Sequence, residues 1–369
     1  MSQSVVGPLH GPRTTERDAV SVLRDRVLLM ATNPSPGLLA TVDPRTGGIV
    51  LSGTTAAAMA RPVSRAFSNL PILIDPASAR DYVATAEHPF QIEADGMIPQ
   101  TLGGLLQGQR DAGATLVITP SGQITAGDSA ALKALLYEAN TIAGQDVLTL
   151  VVVEDVWLTP PWIDQLCAVL KTSKHPVLLG VINGNDDPLQ RKGAVAGYRR
   201  VAREVPHVVA WRTDLSGLGA MVYGAIAAVI GRVPSQRRYA GAGTTPYSSN
   251  KADRTPHVLL TELLRYSRAQ YMQIEWFAQG ESLPCFCPHC HGLGLERFDG
   301  SAASVAVADQ HNAFALRELV ASMLDADHRP TWWIDRLRDA EAEHAALGGR
   351  LGMEIALPKY IERWLGEAD

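Results

Sequence analysis

The sequence contains only four cysteines among its 369 residues. A chain of this length can bury a large core and does not depend on a few disulfides for its stability. Three of the four thiols, Cys285, Cys287 and Cys290, lie within six residues of one another. This clustering is more typical of metal binding in a reducing compartment than of disulfide pairing. Cys167 lies apart, in the apolar-periodic stretch 162–170, and is predicted to be an ordinary buried thiol.

Long apolar runs and an excess of positive charge are also missing. No apolar run reaches the roughly 18 residues that a membrane span requires, and no charged segment followed by an apolar stretch opens the chain, as it would in a signal peptide. The expected location is therefore the cytoplasm, without membrane association. The net charge of −5 and the isoelectric point near 6.1 give no general attraction to phosphate. A nucleic-acid partner would have to be met by a local basic patch.

Short apolar runs alternate with stretches of helical periodicity through the first two thirds of the chain. The predicted strands are 71–75, 115–119, 148–155, 176–183 and 207–214, and the predicted helices include 129–143, 161–172 and 189–205. Continuous apolar strands of this kind belong to a parallel sheet covered on both faces. No Gly-x-Gly-x-x-Gly follows the first strand, so a (β/α)8 barrel is favoured over a dinucleotide-binding doubly wound sheet.

The expected organisation has three parts: an N-terminal segment over 1–35, the barrel over 36–280, and a zinc-binding and helical region over 281–369. Residues 257–278 are predicted to form a helix ahead of the cysteine cluster. The tail beyond residue 311 is predicted to be mostly helical, with Trp332, Trp333 and Trp364 more typical of core than of a base-stacking surface.

Polar residues end several predicted strands: Asp75, Thr119, Asp155, Asn183 and Asp214. In both candidate folds the carboxyl ends of the strands form the active site, so these side chains are expected to converge there. The competing interpretation of each aspartate is a helix N-cap or turn residue, a role that aspartate strongly favours.

The segment from Cys285 to Cys290 brings three thiolates within reach of one ion, and a tetrahedral structural zinc site needs a fourth ligand. His289 and His291 flank Cys290 so closely that their rings would have to fold back over the loop. His311 opens a long helical pattern and is therefore the preferred ligand. Two alternatives are three unliganded thiols and a redox site at Cys-Pro-His-Cys, although no thioredoxin-like context precedes that motif.

The Cys-x-Cys-x2-Cys pattern, followed after 20 residues by His311-Asn312, resembles the zinc site of tRNA-guanine transglycosylases. Weaker similarity runs over residues 70 to 325. It includes Leu73-Ile74-Asp75, Val152 to Asp155, Leu179 to Gly184 and Trp211 to Gly217.

The resemblance implies a (β/α)8 barrel with structural zinc that exchanges guanine for a 7-deazaguanine in tRNA or DNA. This activity is that of a pentosyltransferase of the kind used in queuosine-type tRNA modification. The chemistry requires one carboxylate to attack the anomeric carbon and another to manage protons. Asp75 and Asp214 are the expected catalytic carboxylates, with their roles left open, and Asp155, Asn183 and Gly184 are the expected base-binding residues.

The expected partners are tRNA or DNA and a guanine or 7-deazaguanine base, and both homodimer and heterodimer remain open. The predicted basic surface consists of Arg191, Lys192, Arg199, Arg200, Arg237 and Arg238. The competing interpretation of these residues is a solvated helix face. Two other functions compete with base exchange: a non-catalytic zinc-containing barrel subunit, and a barrel hydrolase for a nucleoside or small glycoside.

Overall fold

The computed structural model describes residues 17–92, 100–184, 186–242, 253–278, 280 and 282–367. The strands are β1 Arg26–Ala31, β2 Gly47–Leu51, β3 Ile72–Ile74, β4 Val117–Ile118, β5 Gln123–Ile124, β6 Val147–Glu154, β7 Val177–Ile182, β8 Val208–Thr213, β9 Ala227–Gly231, β10 His257–Leu260, β11 Arg265–Arg268, β12 Pro284–Cys285 and β13 Leu293–Gly294. The helices are α1 Ala19–Leu23, α2 Pro36–Thr41, α3 Ala56–Ala66, α4 Leu102–Ala112, α5 Ser129–Ala139, α6 Trp162–Leu170, α7 Ala194–Glu204, α8 Ser216–Val222, α9 Pro234–Arg237, α10 Ala269–Tyr271, α11 Ala302–Leu324, α12 Arg329–Leu351 and α13 Lys359–Gly366.

Strands β1 to β9 form a parallel, nearly closed barrel. Their order is β3-β2-β1-β9-β8-β7-β6-β4, and β5 pairs with β6 beyond β4, so β4 and β5 together occupy one of eight barrel positions. The remaining gap is bridged where the Thr115 amide donates to the Ile72 carbonyl at 2.7 Å. The predicted (β/α)8 barrel is confirmed.

Alternation along each strand explains why both faces of the sheet are apolar. In β1, Leu28 and Met30 belong to the cluster inside the barrel, whereas Val27, Leu29 and Ala31 belong to the cluster beneath the surrounding helices. Because side chains point to opposite faces with a period of two, a strand buried on both sides must be apolar throughout.

The structure extends the barrel beyond the residues predicted from the alternation. Strands β1, β2 and β9 were not predicted, and β1 places the start of the barrel before residue 36. The expected boundary at 36 is therefore wrong, because β1 pairs with both β2 and β9 and cannot be separated from the barrel. Helices α5, α6 and α7 fall within the predicted helical stretches.

The region after the barrel differs from the prediction of one helix over 257–278. Strands β10 and β11 form an antiparallel hairpin, followed by α10 and a π-helical turn, Met272–Trp276. Val258 and Leu260 of the hairpin pack in one cluster with Cys290 and Phe298. The C-terminal unit therefore begins before residue 281, because its core includes this hairpin.

The C-terminal helices pack against the barrel. Trp333 and Trp364 are fully buried in the outer barrel cluster, and Trp332 is partly buried against it, as predicted for core tryptophans. Trp364 is accommodated where Gly219 lacks a side chain, since a Cβ there would lie 2.6 Å from the indole. None of the helices in the described ranges combines the length and apolar character that crossing a bilayer requires.

Candidate functional site

A small hairpin gathers the three clustered thiols. Strand β12 pairs with β13, and the turn between them closes where the Gly292 amide donates to the Cys285 carbonyl at 2.8 Å and the Cys290 amide to the Cys287 carbonyl at 3.1 Å. Gly292 has a φ of +83°, a conformation that glycine adopts at no steric cost. The local turn thus places all three sulfur atoms on the side that faces α11.

His311 supplies the fourth group of the cluster. Its Nδ1 lies 3.5 Å from the Sγ atoms of Cys285 and Cys287 and 3.4 Å from that of Cys290. All four potential ligand atoms lie within 4.8 Å of one another. Tetrahedral bonding to one ion with Zn–S and Zn–N bonds of normal length would separate sulfur and nitrogen ligands by about 3.6 Å. The observed spacing therefore fits a metal ion of that size.

The other ring nitrogen of His311 orients the imidazole. Nε2 lies 2.9 Å from the Leu259 carbonyl, which fixes it as the donor and leaves Nδ1 with a free lone pair. Burial lowers the pKa of His311, although the bond to Leu259 opposes this effect. The neutral imidazole that a metal requires is thus the favoured form.

Burial raises the pKa of the Cys290 thiol to about 12 and also raises that of Cys285. Thiolates at these positions therefore require a nearby cation, which a bound metal ion would supply. Cys285, Cys287, Cys290 and His311 together could hold such an ion. Cys167 is buried in α6, as predicted for a structural thiol.

His311 does not open its helix as predicted; it lies well inside α11, which starts at Ala302. The helix begins earlier because Ser301 caps it by accepting a hydrogen bond from the Ser304 amide. The side chains of His289 and His291 are not part of the cluster, and the ring of His289 packs edge-on against Phe314.

At the carboxyl rim of the barrel, Asp75 directly follows β3 and is enclosed in an ion pair. Its Oδ2 accepts a hydrogen bond from Arg212 of β8 at 2.6 Å, and the two side chains are 0% and 9% exposed. Its Oδ1 accepts from the Ala77 amide at 3.0 Å. Burial tends to lower the pKa of Arg212, but the charge of Asp75 outweighs it and the pKa is raised. Arg212 therefore stays charged.

The three expected base-binding residues lie on neighbouring loops. Asp155 is buried after β6 and pairs with Arg191 at 2.9 Å. Asn183 follows β7 and donates to the Asp187 carbonyl at 3.2 Å. Gly184 has a φ of +52°, and a Cβ there would meet no atom within 4 Å. The carboxylate of Asp155 is thus engaged by an arginine, whereas there is free space beside the backbone of Gly184.

Asp214 follows β8 and lines a cavity that also contains Asp187, a residue not singled out from the sequence. Burial, reinforced by the charge of Asp214, raises the pKa of Asp187 to about 6. Asp187 lies in the loop after β7, where one carboxylate among several polar loop residues gives no distinguishing pattern. Asp75 does not line this cavity, although its partner Arg212 does. The structure therefore pairs Asp214 with Asp187 rather than with Asp75.

Besides Arg212, two arginines at the end of α9 line the cavity. Burial lowers the pKa of Arg237 to about 10, and its guanidinium lies 3.8 Å from the centre of the Tyr266 ring. Arg238 also lines the cavity. The enclosed space is only about 30 Å³, enough for a water molecule. A larger ligand would have to displace side chains of the wall.

The predicted basic surface is largely engaged within the protein. Arg199 is buried and donates to the Glu367 carbonyl, and Arg200 pairs with Asp164 and Glu204. Arg191 is held by Asp155. Acidic neighbours and burial therefore offset much of the charge of the expected basic surface.

No protein-family model matches this sequence, and no curated protein matches it. Among solved structures, the Pyrococcus furiosus tryptophan synthase complex is similar at 15% identity, with 57% of this chain and 88% of that chain covered and a TM-score of 0.33. The 4-hydroxy-tetrahydrodipicolinate synthase of Methylacidiphilum fumariolicum SolV shares 12% identity over 57% and 69% of the two chains, with a TM-score of 0.33.

The carboxyl transferase domain of Rhizobium etli pyruvate carboxylase shares 11% identity over 94% of this chain and 61% of that chain, also with a TM-score of 0.33. None of these three proteins is a transglycosylase by name. At such low similarity they say nothing about activity, and the barrel is defined by its own strand pairing.

Proposed function

We propose that the chain is a tRNA-guanine transglycosylase-like protein that exchanges guanine for a 7-deazaguanine in tRNA or DNA. The observation that carries this proposal is the convergence of Cys285, Cys287, Cys290 and His311 beside a (β/α)8 barrel. These four residues are the most specific part of the resemblance to that family. The metal is proposed to be zinc with a structural role, because a Cys3His set leaves no open coordination position.

The carboxylates proposed for catalysis are Asp214 and Asp187, which line the same cavity. An oxygen of Asp214 would form a bond to the anomeric carbon of the ribose while the bond from that carbon to the guanine nitrogen breaks. Asp187, with its pKa near 6, would give its proton to the departing base. The incoming base would then lose a proton to Asp187 and displace Asp214, which balances the exchange.

A second candidate, a barrel subunit that binds without reacting, is favoured by the state of Asp75. This carboxylate was the expected partner of Asp214, yet both of its oxygens are engaged, one by Arg212 and one by Ala77. The small cavity volume also favours it, because a purine enters only if wall residues such as Arg237 move.

The test is incorporation of radiolabelled guanine into separate pools of tRNA and duplex DNA. We expect label in one pool and its loss in Asp214→Asn and Asp187→Asn, because each removes a group that the exchange needs. Asp186→Asn is the matched control, since this neighbouring carboxylate is exposed and does not line the cavity. No label in either polymer from folded, metal-loaded protein would overturn the enzymatic proposal in favour of the binding subunit.

A further inference from the structure

A second cavity lies beside the carboxyl rim, between the segment that follows β9 and the β10–β11 hairpin. Its volume is about 340 Å³, about ten times that of the cavity that holds Asp187 and Asp214. Its wall includes Arg232, Arg254, Arg268, His257 and Asp309. Three arginines and one aspartate among the lining residues give this space an excess of positive charge.

Only part of this positive charge is neutralised from within. Arg232 pairs with Asp309 at 2.6 Å, but its Nε is buried without a hydrogen-bond partner. Arg268 pairs more loosely, at 3.3 Å, with Asp253. The exposed Arg254 has no carboxylate within ion-pair distance among the described residues.

His257 adds an unsatisfied group to the same wall. Both of its ring nitrogens are buried without a hydrogen-bond partner, whereas buried polar atoms in native proteins nearly always have one. Burial, together with the charges of Arg237 and Arg268, lowers the pKa of His257 to about 3. The neutral imidazole keeps one ring N–H, which has no acceptor within the protein and is available to an anionic ligand.

We propose that this cavity is a phosphate subsite that holds a backbone phosphate of the bound polynucleotide, with Arg254, Arg232 and His257 as its ligands. Guanidinium groups recognise phosphate oxygens with two parallel hydrogen bonds, which favours phosphate over a singly coordinated anion. The assignment of the polymer as the source rests on the proposed function.

The location supports a polymer because the two cavities share one short segment of chain. Arg232 to Ser235 line the phosphate subsite, and Arg237 and Arg238, immediately beyond, line the cavity with the carboxylates. Arg237 ties the two together by donating to the Gly231 and Arg232 carbonyls. A nucleotide with its base at one cavity would therefore have its backbone beside the other.

The test is the binding of fluorescein-labelled tRNA and of duplex DNA to the full chain, measured by anisotropy at several salt concentrations. We expect Arg254→Gln to weaken binding of one polymer about fivefold and to reduce the slope of log affinity against log salt by about 0.7–0.9. Arg254→Glu should weaken binding further. Arg45→Gln is the matched control, because Arg45 is 86% exposed and lies at the opposite end of the barrel.

Inorganic phosphate, followed by isothermal calorimetry, distinguishes the two sources of the ligand. If Arg254→Gln weakens phosphate binding but leaves both polymers unaffected, the cavity takes a free anion and the backbone assignment is overturned. Unchanged affinity for all three probes would refute the subsite itself. A chain that binds polymer through Arg254 but incorporates no guanine would retain the subsite and overturn only the base-exchange proposal.

Discussion

The metal cluster and the carboxyl rim differ in how far each of their residues depends on distant parts of the chain. Three of the four cluster groups come from one six-residue turn, and the fourth lies on the helix packed against it. At the rim, each carboxylate comes from a different loop, and the charged group beside it lies elsewhere in the sequence, as Arg212 does for Asp75 and Asp214 for Asp187. The spacing of a short motif therefore predicts which residues form a site. A position at the end of a strand predicts only where a residue lies, and not which groups it contacts.

The largest effect expected from this comparison is at the cluster. Replacing Cys290 by alanine should abolish stoichiometric metal and lower the free energy of unfolding by on the order of 5 kcal/mol, since structural zinc typically contributes about 10 kcal/mol or more. The measurements are metal content by mass spectrometry and thermal unfolding with and without chelator. Cys167→Ser is the control and should keep its metal. Full metal occupancy in the Cys290 variant would refute the ligand assignment.

At the rim, replacing a carboxylate that neutralises a buried arginine should lower the free energy of unfolding strongly. Asp75→Asn leaves Arg212 buried without its counter-charge, which we expect to cost about 3–5 kcal/mol in urea unfolding. The pair of Asp43 and Arg45, whose arginine is 86% exposed, provides the control, and Asp43→Asn should cost about 1 kcal/mol or less. An Asp75→Asn protein of normal stability that no longer incorporates guanine would instead return Asp75 to a catalytic role.

The smallest effect concerns the pKa of Asp187. Because its folded pKa of about 6 lies above the ordinary 3.8, the folded state binds the extra proton between these values. Stability contributed by this group is therefore present at low pH and lost as the pH rises from about 4 through 6, by no more than about 3 kcal/mol. Carboxyl NMR titration should show a lower pKa for Asp187 in Asp214→Asn, because a neighbouring negative charge is removed. An unshifted pKa would show that the two carboxylates do not interact.

The same difference, between local patterns and contacts with distant parts of the chain, decides which elements of the fold could be predicted from the sequence. Strands β3, β4, β6, β7 and β8 were predictable because burial on both faces leaves continuous apolar runs. The hairpin over 257–268 was not, because its partly buried, charged residues give no clear period of two. Its Tyr266 matters only through the packing of Arg237 against its ring, which no local pattern specifies.

The site residues show the same limit. Cys285, Cys287, Cys290 and His311 were identified from spacing and converge in the structure. Asp187 was missed because neighbouring Asp186 has the same side chain in the same loop, and only the fold places Asp187 half-buried in the cavity wall and leaves Asp186 exposed. Where a residue's environment is made by several loops, its chemistry is a tertiary property.

Helix α11 contacts both the barrel and the metal cluster through residues less than one turn apart. Asp309 pairs with Arg232 beside the proposed phosphate subsite, and His311, about 3 Å further along the axis, faces the thiols. A rigid helix cannot shift one of these anchors and leave the other in place. Loss of the metal ion is therefore expected to disturb the Arg232–Asp309 pair as well, although Arg232 contributes no ligand atom.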